Sequence, residues 1–86
     1  MVRVVSTQGA GDVWHVELSI QEGVYHIEQY RVRVEEVPLA PADLSPDERE
    51  RVMSEFVTVE VQRHMRRGSL PPRGTRLDGS AVWRRE

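Results

Sequence analysis

The sequence predicts an α+β domain in which a three-stranded antiparallel β-meander packs against one C-terminal α-helix, followed by a basic flexible tail. The prediction depends on strict apolar alternation over residues 13–20, on helix start and stop signals around residues 46–67, and on the loss of periodicity after residue 69. We therefore place a single domain at residues 1–68 and a tail at residues 69–86. A length of 86 residues permits one small core.

The first two strands are predicted over residues 2–5 and 13–21. From Trp14 to Ile20, apolar side chains occupy the even positions and polar ones the odd positions, which is typical of a half-buried strand. The first strand is a shorter β-prone run. Residues 6–12 between the two have the glycine and polar composition of a loop that closes an antiparallel pair.

The third strand is predicted over residues 24–37, with a bulge near Glu28–Gln29. Its apolar residues are odd-numbered at first and even-numbered from Tyr30 onward. One extra residue in a bulge would place the apolar side chains of both halves on the same face of the sheet. A two-residue turn at Glu22–Gly23 would place Ile20 opposite Tyr25, Leu18 opposite Ile27, Val16 opposite Tyr30 and Trp14 opposite Val32. A three-residue loop with a shifted register is the alternative.

The helix is predicted over residues 46–67. Ser45 is a favoured N-cap, Pro46 suits the first helical position, and Glu48 completes a capping box with Ser45. Arginines near the end and Gly68 beyond it are typical of a C-terminus. Residues 56–62 also alternate like a strand, so a helix over about 46–55 and a fourth strand form the alternative. We expect the helix to cover the apolar face of the hairpin, which carries Trp14, Val16, Leu18, Ile20, Ile27, Tyr30 and Val32.

The composition indicates a protein that is not an enzyme. The chain has no cysteine and no lysine, which excludes thiol nucleophiles, Cys-ligated metals, and Schiff-base and P-loop chemistry. None of its serines has a Gly-x-Ser-x-Gly context. We expect no cofactor, no metal and no small-molecule substrate. Because the sequence shows no long apolar run and no signal peptide, we also expect a cytoplasmic location and no membrane binding.

The histidines are the only candidates for a metal or acid–base site. In the predicted register, His15 and His26 share the outer sheet face, with Glu17 between them and Arg31 opposite His15. His64 lies on the helix, among arginines that would discourage metal binding. Polar neighbours are expected on any solvent-facing strand, so we interpret this group as a solvated face.

The charge divides near the end of the helix. Residues 1–61 carry five arginines and twelve acids, a net charge of −7, whereas residues 62–86 carry seven arginines and two acids, a net charge of +5. A basic arm fits a phosphate backbone or an acidic protein surface, including that of a second copy, and a solvated tail is the third possibility. A nucleic-acid site would combine stacking on Trp83 with the arginines of the helix end and tail: Arg63, Arg66, Arg67, Arg73, Arg76, Arg84 and Arg85.

The helix carries two apolar stripes, although one would suffice to cover the sheet. They are Val52, Phe56 and Val59, and Met53, Val57, Val61 and Met65. Either the tail folds back and buries both stripes, or one of the stripes contacts a partner protein. We predict a non-enzymatic interaction module, an accessory or regulatory protein that docks on a larger protein or forms a homodimer through its helix. The predicted partner-binding residues are the second stripe and its neighbouring arginines: Met53, Val57, Val61, Met65, Arg63, Arg66 and Arg67.

Overall fold

The part of the chain that the structure describes forms a four-stranded mixed sheet with a helix packed on it. A computed structural model describes residues 1–36, 39–68, 75–79 and 82–83. The elements are β1 (Val2–Ala10), β2 (Val13–Glu22), β3 (Tyr25–Glu35), α1 (Pro46–Arg66) and β4 (Thr75–Asp78). In the order β1-β2-β3-β4, the first three strands are antiparallel and β4 lies parallel to β3. The predicted α+β class, with a β-meander packed on a helix, is confirmed.

The first strand is longer than predicted, because β1 runs to Ala10. Its pairing with β2 shifts between Val4 and Ser6, which makes Val5 the extra residue of a bulge. The apolar alternation breaks at that bulge, and the second half of the strand carries polar residues. The prediction of a loop over residues 6–12 is therefore wrong: the connection is Gly11 and the residue after it, with Gly11 at a φ of 66°.

The β2–β3 hairpin has the predicted bulge, with Glu28 and Gln29 opposite Ser19, but its turn is different. Glu22 pairs with Tyr25, so the turn comprises residues 23 and 24. Two-residue hairpin turns need a positive φ at their first position, and a glycine, here at 58°, takes it without strain. The predicted pairs are wrong, by three residues for Leu18 and by two for the others; the observed ones are Ile20–Ile27, Leu18–Tyr30, Val16–Val32 and Trp14–Val34. A shift of two keeps the face, and the extra residue at Leu18 is the one in the bulge, so each side chain stays on its predicted face.

The helix follows its prediction to within one residue. The Glu48 N–H donates to Ser45 Oγ at 3.2 Å, and Gly68 adopts a φ of 81° just beyond the C-terminal cap. Residues 56–62 belong to α1, so the alternative of a fourth strand there is wrong. Among the described residues, no helix combines the length and apolar character that a bilayer crossing requires.

The core lies between the helix and one face of the sheet. The predicted face is confirmed, with Ile27 half-buried at its margin and Val34 added to it. The buried apolar residues are Trp14, Val16, Leu18, Ile20, Tyr30, Val32, Val34, Met53, Val57, Val61, Leu77 and Trp83.

A fourth strand arises within the segment predicted to be a tail. Leu77 of β4 pairs with Val34, and the N–H of Gly79 donates to the carbonyl oxygen of Glu35 at 2.8 Å. Trp83 is buried in the core. Residues 69–74, 80–81 and 84–86 lie outside the described part of the chain, so the flexibility of the tail stays a prediction there.

Candidate protein-docking surface

The helix stripe predicted to meet a partner faces the sheet. Met53 and Val57 are fully buried, Val61 is 2% exposed, and all three belong to the core. Met65, at the end of this stripe, is half-buried. The prediction that Met53, Val57 and Val61 bind a partner is therefore corrected, because their side chains are buried in the core of the chain itself.

The second apolar stripe, which the fold covers only in part, is Val52, Phe56 and Val59, and we call it the docking stripe. Val52 and Phe56 are half-buried and pack against the core, whereas Val59 is 47% exposed. At 100° per residue, this stripe lies about 130° around the helix axis from the buried one. Val59 and the exposed parts of Val52 and Phe56 form an apolar patch along one helical face. This patch is apolar surface of α1 that another molecule can contact.

The helix α1 lies closest to the edge strand β1. At its C-terminal end, Gln62, Met65 and Arg66 line a cavity of about 660 Å³ together with Tyr25 of β3. Because β1 ends the sheet, α1 lies near the outer edge of the sheet.

The edge of β1 adds backbone groups to this surface. β1 ends the sheet, and no other strand in the described chain pairs with its outer edge. Unpaired N–H and C=O groups along an edge strand can bind a strand from another chain. The only charged residue of β1 is Arg3, and Val5 at its bulge is 51% exposed. The unpaired edge of β1 therefore lies near α1, the helix that carries the docking stripe.

The charges of α1 are separated between its two ends. Asp47 and Glu48 lie in the first turn, where they are favourable to the helix dipole, and basic residues occupy the last turn. Arg63 Nη1 is 3.1 Å from Glu60 Oε1, a half-exposed pair that contributes little to stability. The docking stripe consequently has an acidic end and a basic end.

The predicted nucleic-acid site is brought together only in part. Arg63, Arg66 and Arg67 are exposed at the end of α1. Arg76 belongs to β4, whereas Arg73, Arg84 and Arg85 lie outside the described residues. Trp83 is 7% exposed. The prediction that its ring stacks on a base is corrected, because the ring packs in the core.

The two sheet histidines do not form a common site. His15 pairs with Arg33, whereas His26 lies near the β2–β3 turn, with its Nδ1 2.9 Å from the amide oxygen of Gln21. Glu17, not His15, lies opposite Arg31, and this pair is joined at 3.2 Å. Within the described ranges, no three His, Asp or Glu side chains are grouped to hold a metal ion.

Comparison with known proteins does not assign the chain to a family. The sequence matches no protein-family model. Neither the curated proteins nor the solved structures contain a match. The function is therefore inferred from the surface of the chain itself.

Proposed function

We propose that this protein is a small non-enzymatic interaction module that binds protein through the docking stripe of α1 and the adjoining edge of β1. The observation that carries the proposal is a second apolar stripe beside a complete core. Met53, Val57 and Val61 already cover the sheet. Val59 is exposed, and Val52 and Phe56 are only partly buried against the core, so burial of this stripe by another chain would remove further apolar surface from water.

The chemistry of this side of the molecule suits an interface between proteins. Phe56 at the middle of the stripe is an aromatic residue of the kind enriched at interface centres. The charged ends of α1 supply a polar rim, which guides association and selects orientation. The β1 edge can add main-chain hydrogen bonds to the apolar contact. We place this activity in the cytoplasm, as the composition suggests.

The test is retention of protein by the tagged full-length chain in lysate of its own host, treated with nuclease. We expect wild type to retain a protein at near-stoichiometric amounts, either a second copy or another chain. Val59→Glu should lose it, because a carboxylate on the stripe would be desolvated on binding. Thr58→Glu is the control: it also replaces a β-branched residue by glutamate, on the flank that faces away from the stripe. Thr58 is half-buried and its hydroxyl donates to the carbonyl oxygen of Ser54 at 2.8 Å, so the folding of this variant is checked by circular dichroism.

Equal retention by both variants would contradict the proposal. If retention of other molecules by the tagged chain is lost when the lysate is treated with nuclease, the nucleic-acid alternative is favoured. That alternative uses the arginines of the helix end. In that case, retention should also fall steeply with salt, because counterions are released when phosphates are neutralised.

A further inference from the structure

We infer that the protein bound by the docking stripe is a second copy of this chain, with the two α1 helices packed antiparallel across a two-fold axis. The inference rests on the proposed function and names the occupant of the same surface. Its basis is the order of charged and apolar residues along one face of α1.

The docking stripe continues into one charged residue at each end. Glu48 precedes Val52 by four residues, and Arg63 follows Val59 by four, so the five positions 48, 52, 56, 59 and 63 have helical spacing. At 100° per residue they span an arc of about 80°, and at 1.5 Å per residue a length of about 22 Å. We call this set the dimer seam. It carries one acid, three apolar residues and one base, in that order along the chain.

An antiparallel copy matches every position of the dimer seam. When Val52 lies opposite Val59 of the other copy, Glu48 lies opposite its Arg63, and the two-fold axis repeats both contacts. Phe56 then lies next to the axis, beside the same residue of the other copy. A parallel arrangement would instead place like charges together at both ends, which is destabilising. Charge complementarity therefore selects a second, antiparallel copy as the occupant.

The charged ends of the seam are exposed. Glu48 is exposed, and the hydrogen bond described for it uses its backbone N–H, with Ser45 Oγ as the acceptor. The side chain of Arg63 is 55% exposed, and its Nη1 lies 3.1 Å from Glu60 Oε1. A guanidinium has five donors, so it can hold a second carboxylate without giving up the first.

The same axis also brings the two β1 edges together. A two-fold axis perpendicular to the sheet at this side reverses the direction of β1 along with that of α1. Arg3, near one end of the strand, is then far from Arg3 of the other copy. The edge that each sheet leaves unpaired would be covered by the other, which is a common solution for edge strands.

Sedimentation equilibrium of the purified full-length chain tests the inference. We expect wild type and Thr58→Glu to sediment as dimers, and Val59→Glu to sediment as a folded monomer with an unchanged helix signal in circular dichroism. A wild-type chain that stays monomeric up to about 1 mM would overturn the inference, since a weaker contact provides less than about 4 kcal/mol. A dimer of unchanged affinity in Val59→Glu would also overturn it.

A charge exchange tests the antiparallel pairing. Glu48→Arg and Arg63→Glu should each weaken the dimer roughly tenfold, because each change replaces two symmetric attractions by repulsions. The double variant should restore the wild-type affinity to within about threefold, since it re-forms both pairs with the charges exchanged. Asp47→Arg is the control for Glu48→Arg: it alters the same helical turn on the flank away from the seam. A double variant weaker than both single variants would overturn the arrangement.

Failure of the inference can be told apart from failure of the proposed function. If the purified chain is monomeric but another protein is retained by wild type and lost by Val59→Glu, the second copy is excluded and the interaction module stands. If neither dimerisation of the purified chain nor retention of a protein from lysate depends on Val59, both the inference and the proposed function fail.

Discussion

Replacing Val57 by aspartate should unfold the domain, whereas the same replacement at Val59, two residues away, should leave it folded. The side chain of Val57 is fully buried, so its loss removes about 1.5–3 kcal/mol of apolar burial. A buried carboxyl must also be neutralised, at a cost of roughly 4 kcal/mol at pH 7, because the ordinary pKa of aspartate lies about 3 units below that pH. The sum is comparable with the whole stability of a domain of this length, about 4–13 kcal/mol. Val59 is 47% exposed, so its replacement costs roughly 1 kcal/mol and buries no charge.

The assay is urea denaturation followed by far-UV circular dichroism, in dilute solution so that association does not contribute. Val57→Ala provides a graded measurement, with an expected loss of about 2 kcal/mol for two deleted methyl groups and the small cavity they leave. A Val57→Asp chain that shows a native spectrum and the wild-type denaturation midpoint would refute the orientation of α1 on the sheet. The docking stripe would then be the buried one, and the proposals built on it would fail.

Three further substitutions test the local geometry by the same denaturation experiment. Gly79→Ala should destabilise the fold by about 1–3 kcal/mol, because its Cβ would lie 2.4 Å from the carbonyl oxygen of Glu35; an unchanged midpoint would contradict the docking of β4 on β3. Ser45→Ala should cost about 1 kcal/mol through loss of the N-cap hydrogen bond to Glu48, and no loss would mean that the cap is not formed. Gly23→Ala should cost about 1–2 kcal/mol because an L-residue is strained at a φ of 58°, and a stabilised variant would place the turn elsewhere.

Sequence patterns predict which face a strand residue occupies better than they predict its partner across the sheet. The alternation in β2 and the phase change near Glu28 fix the faces, since side-chain direction has a period of two. Register depends on the turn, and a turn that begins at Gly23 instead of Glu22 moves the pairs by two residues, or by three across the bulge, without moving any side chain to the other face. Backbone conformation determines which two residues form the turn. The first turn position has a positive φ, which glycine adopts freely and glutamate would adopt only with strain.

The rotation of a helix on a sheet is harder to predict when two of its stripes are equally apolar. The stripes that begin at Val52 and at Met53 both have helical spacing, and neither composition nor capping distinguishes them. One difference was present in the sequence: Glu48 and Arg63 extend the first stripe, whereas Met65 extends the second. Charged residues are rarely fully buried, so a stripe bounded by two of them is better suited to the surface than one that ends in methionine.

The fold also changes the meaning of the basic C-terminal segment. A net charge of +5 over residues 62–86 suggested one continuous basic arm. In the structure, Arg63 stays with α1 beside the docking stripe, whereas Arg76 is in β4, at the edge of the sheet opposite to β1. Leu77 and Trp83, from the same segment, lie in the core. Deletion of residues 69–86 would therefore remove core contacts along with charge, so an electrostatic role has to be tested by replacing arginines in the full-length chain.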